Sequence, residues 1–337
     1  MEFLAKRVII ISFSVIMGNT LLYSQHKDQK MEQSRSAGNH ATAGNTSTIL
    51  YKTVSVGNYN IFYREGGSND KPAIVFLHGF PSSSRMWQPL LEKLSADYHV
   101  IAPDYIGFGH SSQPPVDSFD YTFDNLADYT DRFITQLGLN RFILVQQDYG
   151  GPIGMRIAEK HPEKIQAIIV QNAVSHNEGL SPLWETRKAF WANKEQHYDA
   201  VKKNFISFEA TKQRHIGSTP VPERINPDNY TDEYLFLNKP GMADIQLELF
   251  YDYQSNVRSY PKWQEWLSRH QPKMQVIWGQ YDPSFTVAGA WKYKENVPDA
   301  EVHIVEGGHF ALDEAEPVIV SLMQDFLKRV TAKTSSY

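Results

Sequence analysis

The sequence predicts an α/β protein: a mostly parallel sheet flanked by helices, with an inserted helical cap. Three observations lead to this fold class. Short apolar runs rich in Val and Ile recur along the chain, segments with helical spacing of apolar residues lie between them, and one long region interrupts the alternation. Strands that alternate with helices are typical of a parallel sheet that is covered on both faces.

Six apolar runs are predicted to be buried strands because each is short and rich in β-branched residues. They are Ala73–Leu77 and residues 100–102, 142–145, 165–170, 274–278 and 302–305. Three segments carry apolar residues three and four positions apart, which predicts helices. These segments are residues 125–137, 153–160 and 318–330. Residues 49–175 and 269–331 are therefore assigned to one α/β core.

Residues 176–268 contain no convincing core strand, and we interpret them as a helical cap inserted into the core. Four of the seven tryptophans lie in this region, namely Trp184, Trp191, Trp263 and Trp266. Such aromatic residues pack well between short helices, and they can also line an apolar binding site beneath a lid.

The N-terminal residues resemble a secretory signal. Lys6 and Arg7 precede an apolar run that ends at the small residue Ser24. The run contains several polar residues and is shorter than a membrane span requires, so a cleaved signal peptide over residues 1–24 is favoured over an uncleaved anchor. Residues 25–48 are polar and predict a solvated linker. The expected location is secreted or periplasmic, without stable membrane insertion.

Composition narrows the possible functions. The chain of 337 residues has 33 basic and 38 acidic side chains, is 41% apolar and 13% aromatic, and contains no cysteine. Thiol nucleophiles, disulfides, iron–sulfur clusters and Cys-ligated zinc are thereby excluded. Basic residues form no long run, which argues against nucleic acid as a partner. A small-molecule substrate is the favoured partner, and the sequence gives no indication of the oligomeric state.

The segment of residues 145–151 has the pattern of a nucleophile elbow. A buried strand ends, Asp148 follows at once, and Gly150 and Gly151 open a helix. Such a turn is so sharp that the nucleophile adopts unusual backbone angles and needs small neighbours. The alternative interpretation is that Asp148 is only a helix N-cap.

Three further motifs follow predicted strands in the order that an elbow enzyme requires. His78-Gly79-Phe80-Pro81 predicts an oxyanion hole made by the backbone N–H groups of Phe80 and Tyr149. Asp282 follows the strand at 274–278, and His309 follows two glycines after the last strand. We therefore predict that Asp148 is a nucleophile and that Asp282 orients His309. An inactive protein that retains a partial set is the alternative.

From about residue 49 to residue 330 the chain resembles the α/β-hydrolases of the epoxide hydrolase and haloalkane dehalogenase group. The resemblance rests on the motifs at 78–81, 107–111 and 147–151 and on Asp282 and His309. It also implies the cap.

The chain departs from the group at two positions beside the nucleophile. Gln146 stands where many members have glycine, which implies a slightly reshaped elbow. Tyr149 stands where dehalogenases usually have tryptophan, which weighs against halide chemistry.

An aspartate nucleophile favours attack on a saturated carbon, because attack on an acyl carbon would give a reactive anhydride. The expected reaction forms an alkyl ester on Asp148, which water activated by His309 then hydrolyses. Neither a metal nor an organic cofactor is needed for this scheme.

The leaving group depends on donors in the cap. The resemblance places a ring-opening tyrosine near the end of the cap, where Tyr253 matches best and Tyr251 is the alternative. Candidates for a second donor are Trp191, Tyr198 and His215, and Trp191 could instead hold a halide. The predicted function is an epoxide hydrolase that acts on small apolar epoxides. A haloalkane dehalogenase and a non-catalytic small-molecule binding protein are the alternatives.

Overall fold

A computed structural model of the chain describes residues 48–217 and 219–332. The predicted signal peptide and nearly all of the predicted linker lie outside the described residues. None of the helices in the two described segments is long and apolar enough to cross a membrane.

Eight strands form a single sheet. Their bounds are β1 Leu50–Val56, β2 Tyr59–Gly66, β3 Ala73–Leu77, β4 His99–Pro103, β5 Phe142–Gln147, β6 Ile165–Gln171, β7 Met274–Gly279 and β8 Glu301–Val305. The spatial order is β1-β2-β4-β3-β5-β6-β7-β8. β2 pairs antiparallel with β1 and with β4, and the other pairs are parallel.

The six predicted strands correspond to β3 through β8, which confirms the mostly parallel sheet. Every residue of β3, β4, β5 and β7 is buried, as expected for strands covered on both faces. Sequence reasoning did not single out β1 and β2. Most of β1 is exposed at the sheet edge, so it lacks the apolar run by which the central strands were recognised.

Helices cover both faces of the sheet. Those outside the region between β6 and β7 are α1 Gln88–Leu94, α2 Phe123–Gln136, α3 Gly150–Lys160, α9 Val287–Asn296 and α10 Ala311–Thr331. The three predicted helices correspond to α2, α3 and α10. Helix α10 begins earlier than predicted, because it continues through a kink at Ala315 and through Pro317.

The alternation of side chains in β3 shows how the two faces are filled. Ile74 and Phe76 belong to one apolar cluster, and Val75 and Leu77 belong to the cluster on the other face. This two-residue period is the geometry of an extended strand. The sheet is therefore held between two packed layers, and the carboxyl ends of its parallel strands meet at one edge.

Between β6 and β7 the described chain forms five α-helices. They are α4 Trp184–Ala192, α5 Lys194–Ile206, α6 Phe208–Ile216, α7 Pro227–Leu237 and α8 Met242–His270. Helix α8 has 29 residues, and its second half packs on the core. There, Lys262 pairs with Glu159 at 3.2 Å, and the amide of Gln264 donates to the carbonyl of Ser175. The cap thus shares its last helix with the core.

Candidate active site

The elbow lies between the end of β5 and the start of α3. Asp148 has a φ of +46°, a value that side chains rarely adopt and that costs about 1–3 kcal/mol. Its N–H donates to the carbonyl of Asn172 at 3.2 Å. A Cβ on Gly150 would lie 2.2 Å from the carbonyl oxygen of Leu77, so the turn requires glycine there. The backbone therefore presents the Asp148 side chain above the end of β5.

One oxygen of Asp148 is held by backbone donors. The N–H of Phe80 donates to Oδ1 of Asp148 at 2.8 Å, and the N–H of Tyr149 also bonds the carboxylate. A Cβ on Gly79 would lie 2.5 Å from the Cβ of Asp148, so the loop after β3 can approach only with glycine at this position. The structure thus brings together the two predicted N–H donors and the predicted nucleophile.

The imidazole of His309 lies between two carboxylates. Its Nδ1 is 2.8 Å from Oδ2 of Asp282, and its Nε2 is 3.8 Å from Oδ2 of Asp148. Because the carboxylate of Asp282 accepts, the proton is placed on Nδ1, and Nε2 remains free to take a proton. The amide nitrogen of Gln147 lies 3.2 Å from Nε2, consistent with a lone pair on that atom.

Asp282 is held so that it cannot turn away from the imidazole. Its Oδ1 accepts the N–H groups of Ser284 and Phe285 at 2.7 and 3.0 Å. Its Oδ2 accepts the amide of Asn172 at 2.8 Å in addition to His309.

The site places a carboxylate with a raised pKa beside an imidazole whose pKa is also raised. Burial raises the pKa of Asp148 above its ordinary value, while the charge of His309 and the N–H groups of Phe80 and Tyr149 act in the opposite direction. Burial alone would lower the pKa of His309. The charge of Asp282, the hydrogen bond to it and the charge of Asp148 outweigh burial and raise that pKa above 6.5.

A cavity of about 350 Å³ lies between the elbow and the cap. The core contributes Phe80, Asp148, Tyr149 and His309 to its wall. The cap contributes mainly aromatic and basic side chains, among them Trp184, Arg187, Phe205, Arg214 and Phe250. In the described parts of the chain, no group of three or more His, Asp or Glu side chains is arranged to hold a metal ion.

The two predicted cap donors do not lie on the cavity wall. Tyr253 is only 1% exposed, and its ring packs on Trp184 and Tyr149, with centroids 4.6 and 5.8 Å away. The indole N–H of Trp191 donates to the carbonyl of Phe250 at 2.9 Å. Tyr253 and Trp191 were predicted to contact the leaving group. In this structure both side chains pack behind the cavity wall, so neither lies where it could make that contact.

The alternative donors also lie elsewhere. The hydroxyl of Tyr198 donates to Asp244 at 2.5 Å, and the ring of Tyr251 packs beside Phe190. His215 is buried in contact with two carboxylates. None of the three lines the cavity.

Sequence reasoning missed three residues that the structure brings to the site. Asn172 has a φ of +42°, donates to Asp282 and accepts from the N–H of Asp148, so it joins the acid to the elbow. The one sequence feature that could have identified Asn172 is that it is a polar residue directly after β6. Arg187 and Arg214 line the cavity from α4 and α6.

Comparison with known proteins agrees with this geometry. The family model described as alpha/beta hydrolase fold matches residues 72–316. An uncharacterized hydrolase of Saccharomyces cerevisiae is 36% identical over 258 residues, which is 75% of this chain and 88% of that protein.

Two named enzymes are also similar. A haloalkane dehalogenase of Bradyrhizobium diazoefficiens is 33% identical over 43% of this chain and 45% of its own length. Epoxide hydrolase 1 of Caenorhabditis elegans is 25% identical over 77% of this chain and 66% of its own length. The strand order, the elbow and the matched family model together make the chain a hydrolase of the α/β-hydrolase fold family.

Proposed function

We propose that this hydrolase opens small epoxides through a covalent ester on Asp148. The observation that carries the proposal is the unequal environment of the two carboxylate oxygens. Oδ1 accepts the N–H of Phe80, whereas Oδ2 faces Nε2 of His309 across 3.8 Å. One oxygen is thus held while the other is free to attack.

In the first step, Oδ2 of Asp148 attacks a saturated carbon of the substrate. The new C–O bond forms as the bond to the epoxide oxygen breaks, and that oxygen leaves with the bonding pair and takes a proton. The product of this step is a hydroxyalkyl ester of Asp148. Oδ1 becomes its carbonyl oxygen and already accepts the N–H of Phe80.

In the second step, His309 removes a proton from water through Nε2, and the water oxygen adds to the carboxyl carbon of Asp148. The negative charge that develops on Oδ1 is stabilised by the N–H groups of Phe80 and Tyr149. The bond between the carboxyl carbon and the alkoxy oxygen then breaks. That oxygen receives the proton from His309 and leaves as the hydroxyl of a diol. The second proton of the water then passes from the carboxyl group to the acid that protonated the epoxide oxygen, which restores the carboxylate and the acid.

Tyr149 is the phenol that can protonate the epoxide oxygen. It lines the cavity together with Asp148. Burial and the charge of Asp148 raise its pKa well above the ordinary value, so it is protonated at neutral pH. The charges of Arg214 and Arg187 oppose that rise and would stabilise the phenolate after transfer.

Halide chemistry is less well supported. Indole N–H groups are suitable donors to a departing halide, but in the cap Trp184 donates to the carbonyl of Ser284 at 3.0 Å and Trp191 donates to Phe250. Neither N–H is free. A dehalogenase is the second candidate because the N–H groups of Arg187 and Arg214 face the cavity and could hold a halide.

The test is to trap the ester in His309→Gln. This variant is expected to form the ester and not hydrolyse it, so peptide mass spectrometry should find the substrate mass on the peptide that contains Asp148. His197→Gln, a histidine away from the cavity wall, is the matched control and should turn over without accumulation. An adduct on a serine, or none on any peptide, would contradict the mechanism.

The same assay identifies the acid. Tyr149→Phe should slow ester formation from epoxides by about 10²–10⁴-fold. Tyr253→Phe should leave that rate nearly unchanged, because its ring packs behind the wall. Loss of epoxide opening in Tyr253→Phe alone, with circular dichroism unchanged, would restore Tyr253 as the donor. Halide release without diol formation would favour the dehalogenase.

A further inference from the structure

Arg187 is a buried cation without an anionic partner. It is 8% exposed and lines the cavity from α4. In the described part of the chain its guanidinium makes no ion pair, and its Nε is buried without a hydrogen-bond partner. Its guanidinium carbon instead lies 4.4 Å from the ring centroid of Trp184 and 4.8 Å from that of Phe205.

Arg214 is a second cation on the same wall. Its Nη2 donates to the carbonyl of Phe205 at 2.8 Å, and its Nη1 is buried without a partner among the residues described. Its guanidinium carbon is 4.5 Å from the ring centroid of Phe205 and 4.7 Å from that of Phe80. Aromatic faces thus position both guanidinium groups and leave N–H donors unused, although buried N–H donors normally have acceptors.

Both arginines remain charged at neutral pH. Burial lowers the pKa of Arg187 to about 10. Burial, followed by the charge of Arg187, lowers the pKa of Arg214 to about 10. Two positive charges therefore line one low-dielectric cavity, and neither guanidinium makes an ion pair in the described part of the chain.

The proposed reaction supplies only one negative charge that could pair with an arginine. When Asp148 becomes an ester, its negative charge passes to the departing oxygen or to the phenolate of Tyr149, and one arginine can balance it. The second arginine makes no ion pair among the described residues, and a neutral substrate would leave it without an anionic partner. An uncompensated buried charge is costly, so a substrate that supplies one negative charge would be favoured.

We propose that Arg187 and Arg214 make this cavity selective for small epoxides that carry a carboxylate. The inference rests on the proposed function of Asp148 and replaces the apolar epoxide expected from the sequence. A carboxylate suits the site in two respects. Its two oxygens match the paired N–H donors of a guanidinium, and it supplies the anionic partner that the arginines lack. A phosphate monoester carries a charge of about −1.5 to −2, which is more than one guanidinium balances.

The cavity volume limits the size of this substrate. A volume of about 350 Å³ is near the lower end of the range for small-molecule sites. Arg187, Arg214 and Asp148 all line this one cavity. The carboxylate of the substrate and its reacting carbon must therefore be separated by only a few bonds. The epoxide of crotonic acid meets both conditions.

The first experiment compares matched substrates on the wild-type enzyme. The epoxide of crotonic acid and the epoxide of crotonamide have nearly the same shape and differ by one charge. Hydrogen bonds to charged groups predict a kcat/KM about 10²-fold higher for the acid. Glycidyl phosphate tests the charge argument and should react more slowly than the acid. Equal rates for acid and amide would overturn the inference.

Variants then assign the preference to the arginines. Arg187→Gln and Arg214→Gln should each raise KM for the acid and leave the amide nearly unaffected, whereas Arg187→Lys should retain part of the preference. Arg132→Gln, which removes an exposed charge on α2, is the matched control and should change KM for neither the acid nor the amide. An acid preference that survives in both Gln variants would overturn the assignment.

Binding without turnover separates this inference from the proposed function. Calorimetry on Asp148→Asn should detect butanoate and show much weaker binding of butanamide. If butanoate binds selectively and no ester forms on Asp148 in His309→Gln, the proposed function fails and the anion site stands. If esters form equally from acid and amide, the function stands and the anion site fails.

Discussion

A buried ionic contact joins the cap to the core, and its strength can be tested by pH. His215 on α6 lies 2.8 Å from Oε2 of Glu233 on α7 and 2.9 Å from Oδ2 of Asp313 on α10. Its ring stacks on Phe310 with centroids 4.1 Å apart, next to His309 in the chain. We call this set of His215, Glu233 and Asp313 the cap latch.

The latch stabilises the fold when His215 is protonated. Burial acts to lower the pKa of His215, but Glu233 and Asp313 outweigh it and raise the pKa to about 9, from an ordinary value of 6.5. That difference corresponds to about 3 kcal/mol. The stabilisation is complete below about pH 6.5 and is lost as the pH rises through about 9, with a slope of about −1.4 kcal/mol per pH unit between them.

His215→Gln removes this titration. Urea unfolding of wild type and variant should be measured at several pH values between 6 and 9.5. The stability advantage of the wild type should be largest at low pH and shrink by about 3 kcal/mol across the range. The pKa of Glu233 is lowered, so its own contribution disappears only as the pH falls below this window. The pKa of His309 is also raised, but His309 is present in both proteins, so its contribution to the pH dependence of stability cancels in the difference.

Parallel stability profiles for the two proteins would refute this reasoning, because they would mean that His215 is neutral in the folded state. His197→Gln serves as the control, since His197 has no carboxylate partner among the described residues. The His215→Gln variant is also expected to bind substrate more weakly, because α6 carries Arg214 as well as His215. A higher KM with an unchanged rate of ester formation at saturation would show that the latch positions the cap.

Two further predictions concern the site and the N-terminus. Asn172→Ala removes a donor from Asp282, which makes that carboxylate a stronger partner for the imidazolium. The pH midpoint of ester hydrolysis should therefore rise, with a rate loss of about 10–10²-fold, and an unmoved midpoint would show that Asn172 is only structural. We also propose that the protein is exported: N-terminal sequencing from the native host should find the mature chain beginning near Gln25, and an intact Met1 on cytoplasmic protein would rule this out.

The grouping of the candidate reacting residues in the core could be predicted because their signals are local. Asp148 directly follows β5, Asp282 lies three residues beyond the end of β7, and His309 follows β8 after a short loop. Parallel strands end at one sheet edge, so residues that follow buried apolar runs are brought together without any knowledge of how the helices pack. The oxyanion donors were predictable for the same reason, since Phe80 follows β3.

The cap could not be predicted in the same way. Arg187 and Trp191 lie one turn apart on α4 and so share a face, yet only Arg187 reaches the cavity. The indole N–H of Trp191 donates instead to the carbonyl of Phe250 on α8. Arginine is rarely buried without a partner, so the residue type gave no reason to place Arg187 inside the protein. Only the packed structure shows that aromatic rings hold it inside.

The division between core and cap has a consequence for selectivity. The proposed nucleophile, its proposed base and their N–H donors all lie on strand ends and loops of the core, whereas the charges that would hold a substrate lie on α4 and α6. A cap helix can therefore change which molecule is bound without changing the bond-making groups. Such an arrangement works only if the cap keeps its position, because a carboxylate held by Arg214 must leave the reacting carbon within reach of Asp148. His215 of the cap latch directly follows Arg214 in the chain, so its contact with Asp313 ties the helix that carries Arg214 to the core.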